Sequence, residues 1–283
     1  MPMSGLEQGG ARRTPSLSQV VRAVAPSWVF LALIAVAGVG AWLCVDAGLE
    51  RTSTTATIGT VLLVLAGWVI SLCLHEFAHA VTAYRFGDHN AELRGYLTLN
   101  PLRYTHPGLS LGLPLLIILL GGIGFPGGAV YLDERGFSRG QRTTVALAGP
   151  VMNLLLAFIL LTVIRAFGPF AETPFGVFFV SDHLITLWSA LAMLAFLQIT
   201  AAILNLIPMP GFDGYGAIEP YLSAQARQTA AKIAPYGFLI IFALLFIPQL
   251  NRVFFDIVFW FFDLSGVPSQ LAGWGWNTFL FWR

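Results

Sequence analysis

The sequence predicts an all-α polytopic membrane protein with about six transmembrane helices. Two observations carry that prediction. The 283 residues are 57% hydrophobic and only 10% charged, whereas a soluble domain is roughly 45–50% apolar and about 25% charged. The apolar residues also fall in long uncharged runs. A net charge of +1 gives no indication of a nucleic-acid partner. Cys44 and Cys73 lie in separate apolar runs and form no C-x-x-C pair, so neither a disulfide framework nor a zinc ribbon is indicated.

A helix needs about 20 apolar residues to cross the hydrocarbon. Residues 28–45 and 52–74 form the first two spans, and 143–164 and 184–207 the third and fourth. Two shorter runs, 233–247 and 253–264, are separated by PQLNR and read as a tight helical hairpin. The polar N-terminal tail carries Arg12, Arg13 and Arg22, and basic flanks stay in the cytoplasm. The first span then runs outward and the second returns. Arg135, Arg139 and Arg142 mark another cytoplasmic stretch before the third span. A full crossing by 109–123 would put that cluster on the wrong side. This segment opens after Pro107-Gly108 and closes with GGIGFPGG, so it reads as a re-entrant excursion packed beside a polar site.

The second span ends in HEFAH. On a helix His75 and His79 project from one face, at the separation two imidazoles need to bind one zinc ion. Glu76 lies beside them, placed to take a proton from the attacking water without being a ligand. Ionisable groups in apolar sequence cost several kcal/mol unless paired or metallated, and so point to function. A catalytic zinc site needs a third protein ligand. Asp213, in NLIPMPGFDGYG, is a candidate: Pro208, Pro210, Gly211, Gly214 and Gly216 break the helix around it. The same stretch is also a plausible helix-to-loop turn with an aspartate cap.

Three elements together carry a resemblance. HEFAH on a membrane helix, AGPVMN opening a later one and NLIPMPGFDG ending another resemble the signature motifs of the site-2 protease family of intramembrane zinc metallopeptidases. GYLTLNPLRYTHPG is similar to the stretch that follows the HExxH helix in the compact bacterial branch without a PDZ domain. The resemblance covers roughly residues 72–214. It implies one catalytic Zn2+ held by His75, His79 and Asp213, with Glu76 as catalytic base. It also implies a three-helix catalytic core formed by spans two, three and four. Asn153 is either a helix-packing amide or, as the resemblance implies, a donor to the substrate carbonyl or developing oxyanion.

The sequence departs from the family at Phe212, where relatives have Leu, and at His106, where close relatives often have Asp. It has no room for a PDZ domain. His89 and His183 read as solvated or interfacial. The expected organisation is a cytoplasmic tail (1–26), a single membrane-embedded protease domain (27–266, catalytic core about 55–216) and an aromatic interfacial tail (267–283). Residues 96–100, with Tyr96, Thr98 and alternating Leu, read as a short strand able to pair with an extended substrate.

The implied activity is hydrolysis of a peptide bond within or near a transmembrane segment of a membrane protein. Partners are the lipid bilayer and a membrane-anchored regulator such as an anti-sigma factor, in the bacterial inner membrane. A metal transporter or a catalytically silent scaffold would use similar donors, but a transporter would not require Glu76 directly after His75.

Overall fold

Three of the long helices begin where a serine caps them. A computed structural model of the chain describes residues 14–104, 130–173, 176–180 and 182–282. A short helix, α1 (Leu17–Ala23), precedes α2 (Trp28–Ala47) and α3 (Thr54–Arg85). The Ser27 hydroxyl accepts from the Phe30 amide at 3.2 Å and that of Ser53 from Ala56 at 3.1 Å, satisfying amides that have no partner within the helix. After α4 (Asn90–Leu93) comes α5 (Arg139–Phe167), where Ser138 and Gln141 form a reciprocal capping box. A two-stranded hairpin, β1 (Phe170–Thr173) and β2 (Gly176–Phe179), leads to α6 (Ile185–Asn205). The chain continues through α7 (Asp213–Ile218), α8 (Ala224–Ile233), α9 (Gly237–Leu245), α10 (Pro248–Asp263) and α11 (Gln270–Phe279).

Helix α6 is the axis of the fold. Its alanines 190, 192, 195 and 202 are fully buried, which lets neighbouring backbones approach closely. Hydroxyls hold the helix ends to the turn that precedes α3: Thr186 Oγ1, at the start of α6, donates to Gly48 O at 2.9 Å, and Thr278 Oγ1 of α11 donates to Arg51 O at 3.2 Å. Helices α3 and α6 therefore run in the same direction. Helix α5 runs against them, because its first turns lie beside the far part of α3 and beside α7, where Thr143 Oγ1 donates to Ala217 O at 2.8 Å. Leu31, Ile34 and Trp42 of α2, with Val151, Leu155 and Phe158 of α5, face outward, as expected where lipid is the solvent.

Five helices among the described residues are long and apolar enough to cross a membrane: Trp28–Ala47, Thr54–Arg85, Arg139–Phe167, Ile185–Asn205 and Ala224–Leu245. The end of the chain differs from the expected pair of spans. PQLNR is not a loop; Pro248 opens α10, a position where its missing N–H costs nothing. Asn251 Nδ2 donates to Leu245 O at 3.1 Å and closes the end of α9. Helix α10 has 16 residues and carries Arg252, Asp256 and Asp263. Its Val258 and Phe262 are fully buried in the cluster formed with α5, α6 and α11. Helix α11, within the expected interfacial tail, packs between α3 and α6: Leu271 is fully buried, while Phe281 and Trp282 beyond it are exposed.

The short strand expected after the HExxH helix is absent. Residues Tyr96–Thr98 and Pro101–Arg103 form 3-10 turns instead. Gly95 and Leu99 both adopt left-handed conformations, with φ of 73° and 55°, and the chain cannot stay extended through either. The apolar residues of this stretch form a tight knot that buries Tyr96, Leu97 and Leu99 against α3. Segment 109–123, its closing GGIGFPGG and His106 lie outside the described residues.

Close packing of α2 on α3 generates a test. A Cβ on Gly40 would strike the Leu63 amide and Gly59 O, and one on Gly59 would stand 2.8 Å from Cys44 N. Nothing lies within 4 Å of a Cβ on Gly38. Gly40→Val or Gly59→Val is expected to lower stability by about 1–3 kcal/mol, whereas Gly38→Ala stays within about 0.5 kcal/mol, measured by thermal unfolding in detergent.

Candidate metal centre

HEFAH lies in the second half of α3, where the helix is covered by α5 and by the chain that leads into α7. His75 and His79 are each 6% exposed and Glu76 4%. The sequence PMPGFDG then brings Asp213 back to them. Pro208 and Pro210 end the helical ladder, Gly211 turns with φ of 102°, and Phe212 is extended before α7 begins at Asp213. A Cβ on Gly214 would collide with the Leu206 carbonyl, so only glycine lets this turn fold back on the end of α6.

The donor set converges. His75 Nε2 and His79 Nε2 are 3.1 Å apart; Asp213 Oδ2 stands 3.2 Å from the first and Asp213 Oδ1 3.4 Å from the second. The ligand atoms of all three lie within 4.8 Å of one another, the separation a single ion can span. The outer nitrogens fix the tautomers. His75 Nδ1 donates to Asn153 Oδ1 at 2.9 Å, and His79 Nδ1 donates to the Val145 carbonyl at 2.7 Å. Both Nδ1 positions carry the ring proton, so each neutral imidazole presents a lone pair at Nε2. Asp213 Oδ2 is buried without a hydrogen-bond donor among the described residues. Lone pairs alone face the common point, an arrangement that a cation satisfies and a hydrogen-bond network does not. Two imidazoles oriented from behind by an amide and a carbonyl, with one carboxylate, match the ligand types and outer contacts of catalytic zinc sites.

Helix α5 supplies the back of the site through its proline. Pro150 cannot donate to Ala146, which opens the ladder at this turn. The adjacent carbonyl, Val145 O, accepts a hydrogen bond from His79 Nδ1–H. Gly149 faces both rings so closely that a Cβ there would overlap His75 and His79. Of the expected site residues, His75, His79, Glu76, Asp213 and Asn153 are all brought together. Glu76 is hydrogen-bonded by the backbone of Val130. The segment holding Val130 is itself anchored by buried Asp88, whose Oδ2 accepts from Asp133 N at 2.9 Å. Arg142 completes the scaffold, its Nε 2.8 Å from Glu134 and its Nη2 3.7 Å from Glu219. His89 meets Tyr84 edge to face and His183 pairs with Asp182 at 2.6 Å, so neither joins the cluster.

Sequence reading overlooked Val145, Gly149 and Asp88. Gly149-Pro150 inside a span was the available signal for Gly149, because a glycine beside a proline admits a close neighbour. Gly149→Ala is expected to displace both rings and to lower zinc affinity at least about tenfold. Gly140→Ala, which meets nothing within 4 Å, leaves it unchanged. Competition with a chromogenic chelator on purified protein measures both.

Comparison with known proteins agrees with this chemistry. The model of Peptidase family M50 matches residues 63–175. Proteins named "Putative zinc metalloprotease Rip2" are similar over nearly their whole length. The one from Mycolicibacterium smegmatis is 52% identical over 264 residues, 92% of this chain and 96% of that protein. The one from Mycobacterium tuberculosis strain H37Rv is 47% identical over 259 residues, 92% of this chain and 95% of that protein. "Putative zinc metalloprotease YwhC" of Bacillus subtilis is 34% identical over 188 residues, 65% of this chain and 79% of that protein. No solved structure matches the chain. With HEFAH and Asp213 meeting at one point and relatives this similar from end to end, the chain belongs to peptidase family M50, the site-2 proteases.

Proposed function

We propose that His75, His79 and Asp213 hold one Zn2+ and that Glu76 serves as general base and acid in hydrolysing a peptide bond within or near a transmembrane segment of a membrane protein. The observation that carries this reading is the convergence of three unprotonated ligand atoms beside a buried glutamate. Zinc held there supplies Lewis-acid activation of water and of the scissile carbonyl.

The protein residues divide the remaining work. Glu76, directly after His75 on the helix, takes the proton of the attacking water on a carboxylate oxygen and returns it to the leaving amine nitrogen. Val130 fixes that carboxylate through its hydrogen bond. Asn153 is a positioning residue: its Oδ1 holds His75 Nδ1–H and so sets the ring that ligates the metal. This contact gives the amide a task other than the oxyanion donation suggested by resemblance. A substrate helix hides its carbonyls in its own hydrogen bonds and must unwind before it is cut.

The relatives' printed names, zinc metalloprotease, support the metal and the reaction. They give no support to a transporter or a silent scaffold. The same reading places the protein in the bacterial inner membrane with a cytoplasmic N-terminus, supported by Arg22 ahead of the first span and by Arg135, Arg139 and Arg142 ahead of α5. A membrane-anchored regulator of the anti-sigma type is the proposed substrate class.

Glu76→Gln is expected to keep its zinc and to lose about 10²–10⁴ of the cleavage rate, read as zinc per chain and turnover of a membrane substrate. Retained turnover in that variant contradicts the assignment. Asn153→Ala is expected to weaken zinc about 10–100-fold, with excess zinc restoring activity; a structural role alone would not respond to added metal.

A further inference from the structure

The three-helix core holds a buried amide that the hydrolytic site does not use. Gln198 of α6 is 1% exposed, and neither its Oε1 nor its Nε2 has a hydrogen-bond partner among the described residues. A buried amide without partners costs stability, so such groups are rare unless something engages them.

Neighbours one turn earlier fix where Gln198 points. Leu194, four residues before it, packs on Gly67 of α3, where a Cβ would stand 2.7 Å from Leu194 Cδ2. Ala195, three residues before it, belongs to the apolar cluster that includes Ala157 and Leu161 of α5. Residues three and four apart share a helix face, so Gln198 lies on the seam where α3, α5 and α6 meet. Because α3 and α6 run the same way, one turn beyond the Gly67–Leu194 contact brings Gln198 level with Ser71. His75 lies one turn further, a rise of about 5.4–6 Å. Ser71 does not compete for the amide; its Oγ donates to Gly67 O at 2.7 Å.

We propose that Gln198 binds the main chain of the substrate, pairing with a peptide group of the transmembrane segment as it unwinds next to the metal centre. This inference rests on the protease reading above. A helix opened for cutting releases N–H and C=O groups, and hydrocarbon offers them no partner. A glutamine side chain ends in both a carbonyl acceptor and an amide donor, the same pair that one peptide group presents. Gln198 can therefore satisfy both freed groups of one residue a single turn from the zinc ligands. It favours the unwound segment over the intact helix without reading a particular side chain.

The test uses Gln198→Met, which keeps the unbranched shape without the polar atoms, and Gln198→Leu as a second apolar replacement. Full-length protein replaces the native copy in cells, alongside wild type and Glu76→Gln. Membrane proteins that accumulate uncleaved with Glu76→Gln define the substrates, and their turnover is followed by pulse-chase. Both Gln198 variants are expected to retain wild-type zinc and an equal or higher Tm, yet to cleave those substrates about tenfold more slowly, as loss of a buried hydrogen-bond pair implies. A gain in stability with a loss of turnover is the signature that a packing role cannot produce. Wild-type turnover in both variants overturns the inference, and so does a loss that comes with lost zinc or a lowered Tm in both. If Glu76→Gln causes nothing to accumulate, the protease reading fails first and this inference with it.

Discussion

Three side chains aim only lone pairs at one point inside a bundle of apolar helices. His75 and His79 donate their Nδ1–H groups to Asn153 Oδ1 and Val145 O, and Asp213 faces them with both oxygens. In hydrocarbon such a set repels itself and costs several kcal/mol unless a cation unites it. Much of the surrounding structure serves to hold that arrangement. Helix α3 must be straight through HEFAH for the imidazoles to share a face, α5 must open at Pro150, and α6 must break after Asn205 for Asp213 to return.

Packing around the site follows from that need. Glycine occurs where two groups must approach closely: Gly149 against the imidazoles, Gly214 against the end of α6, Gly67 against Leu194. Where no hydrophobic force drives one helix onto another, close backbone contact and hydrogen bonds do so instead. The ties from Thr143 to Ala217 and from Arg142 to Glu134 and Glu219 lock the returning chain to α5 at the site. At the other end of α6, Thr186 sets its height against the turn before α3, and Thr278 of α11 bonds to the same turn. Gln198 stands on the seam these contacts create.

Much of this was legible in the sequence. Run lengths revealed all five of the long apolar helices, because a membrane-crossing helix needs little beyond length and the absence of charge. HExxH spacing placed the two imidazoles, because helical periodicity alone decides that four residues share a face. Asp213 was legible as a candidate because proline and glycine flank it, yet its approach to His75 depends on how α6 leans on α3, which no local pattern encodes. The strand expected near Tyr96 failed because apolar residues in a short run report burial, and a turn between two left-handed residues buries Tyr96, Leu97 and Leu99 as well. The boundary of the last expected span was misplaced because Pro248 and Asn251 read as loop formers, whereas one opens a helix and the other caps the end of its predecessor. Val145 could not be found from sequence, since its part is played by a main-chain carbonyl.

X-ray absorption at the zinc edge, on purified wild-type protein and on Asp213→Ala, probes the convergence directly. A first shell with two imidazoles at about 2.0–2.1 Å and a carboxylate oxygen at about 2.0–2.2 Å is expected for the wild type. Asp213→Ala is expected to bind zinc more weakly and to show a changed shell that keeps the imidazoles. An identical spectrum and affinity in Asp213→Ala, or sulfur scattering near about 2.3 Å, would contradict a site built from His75, His79 and Asp213.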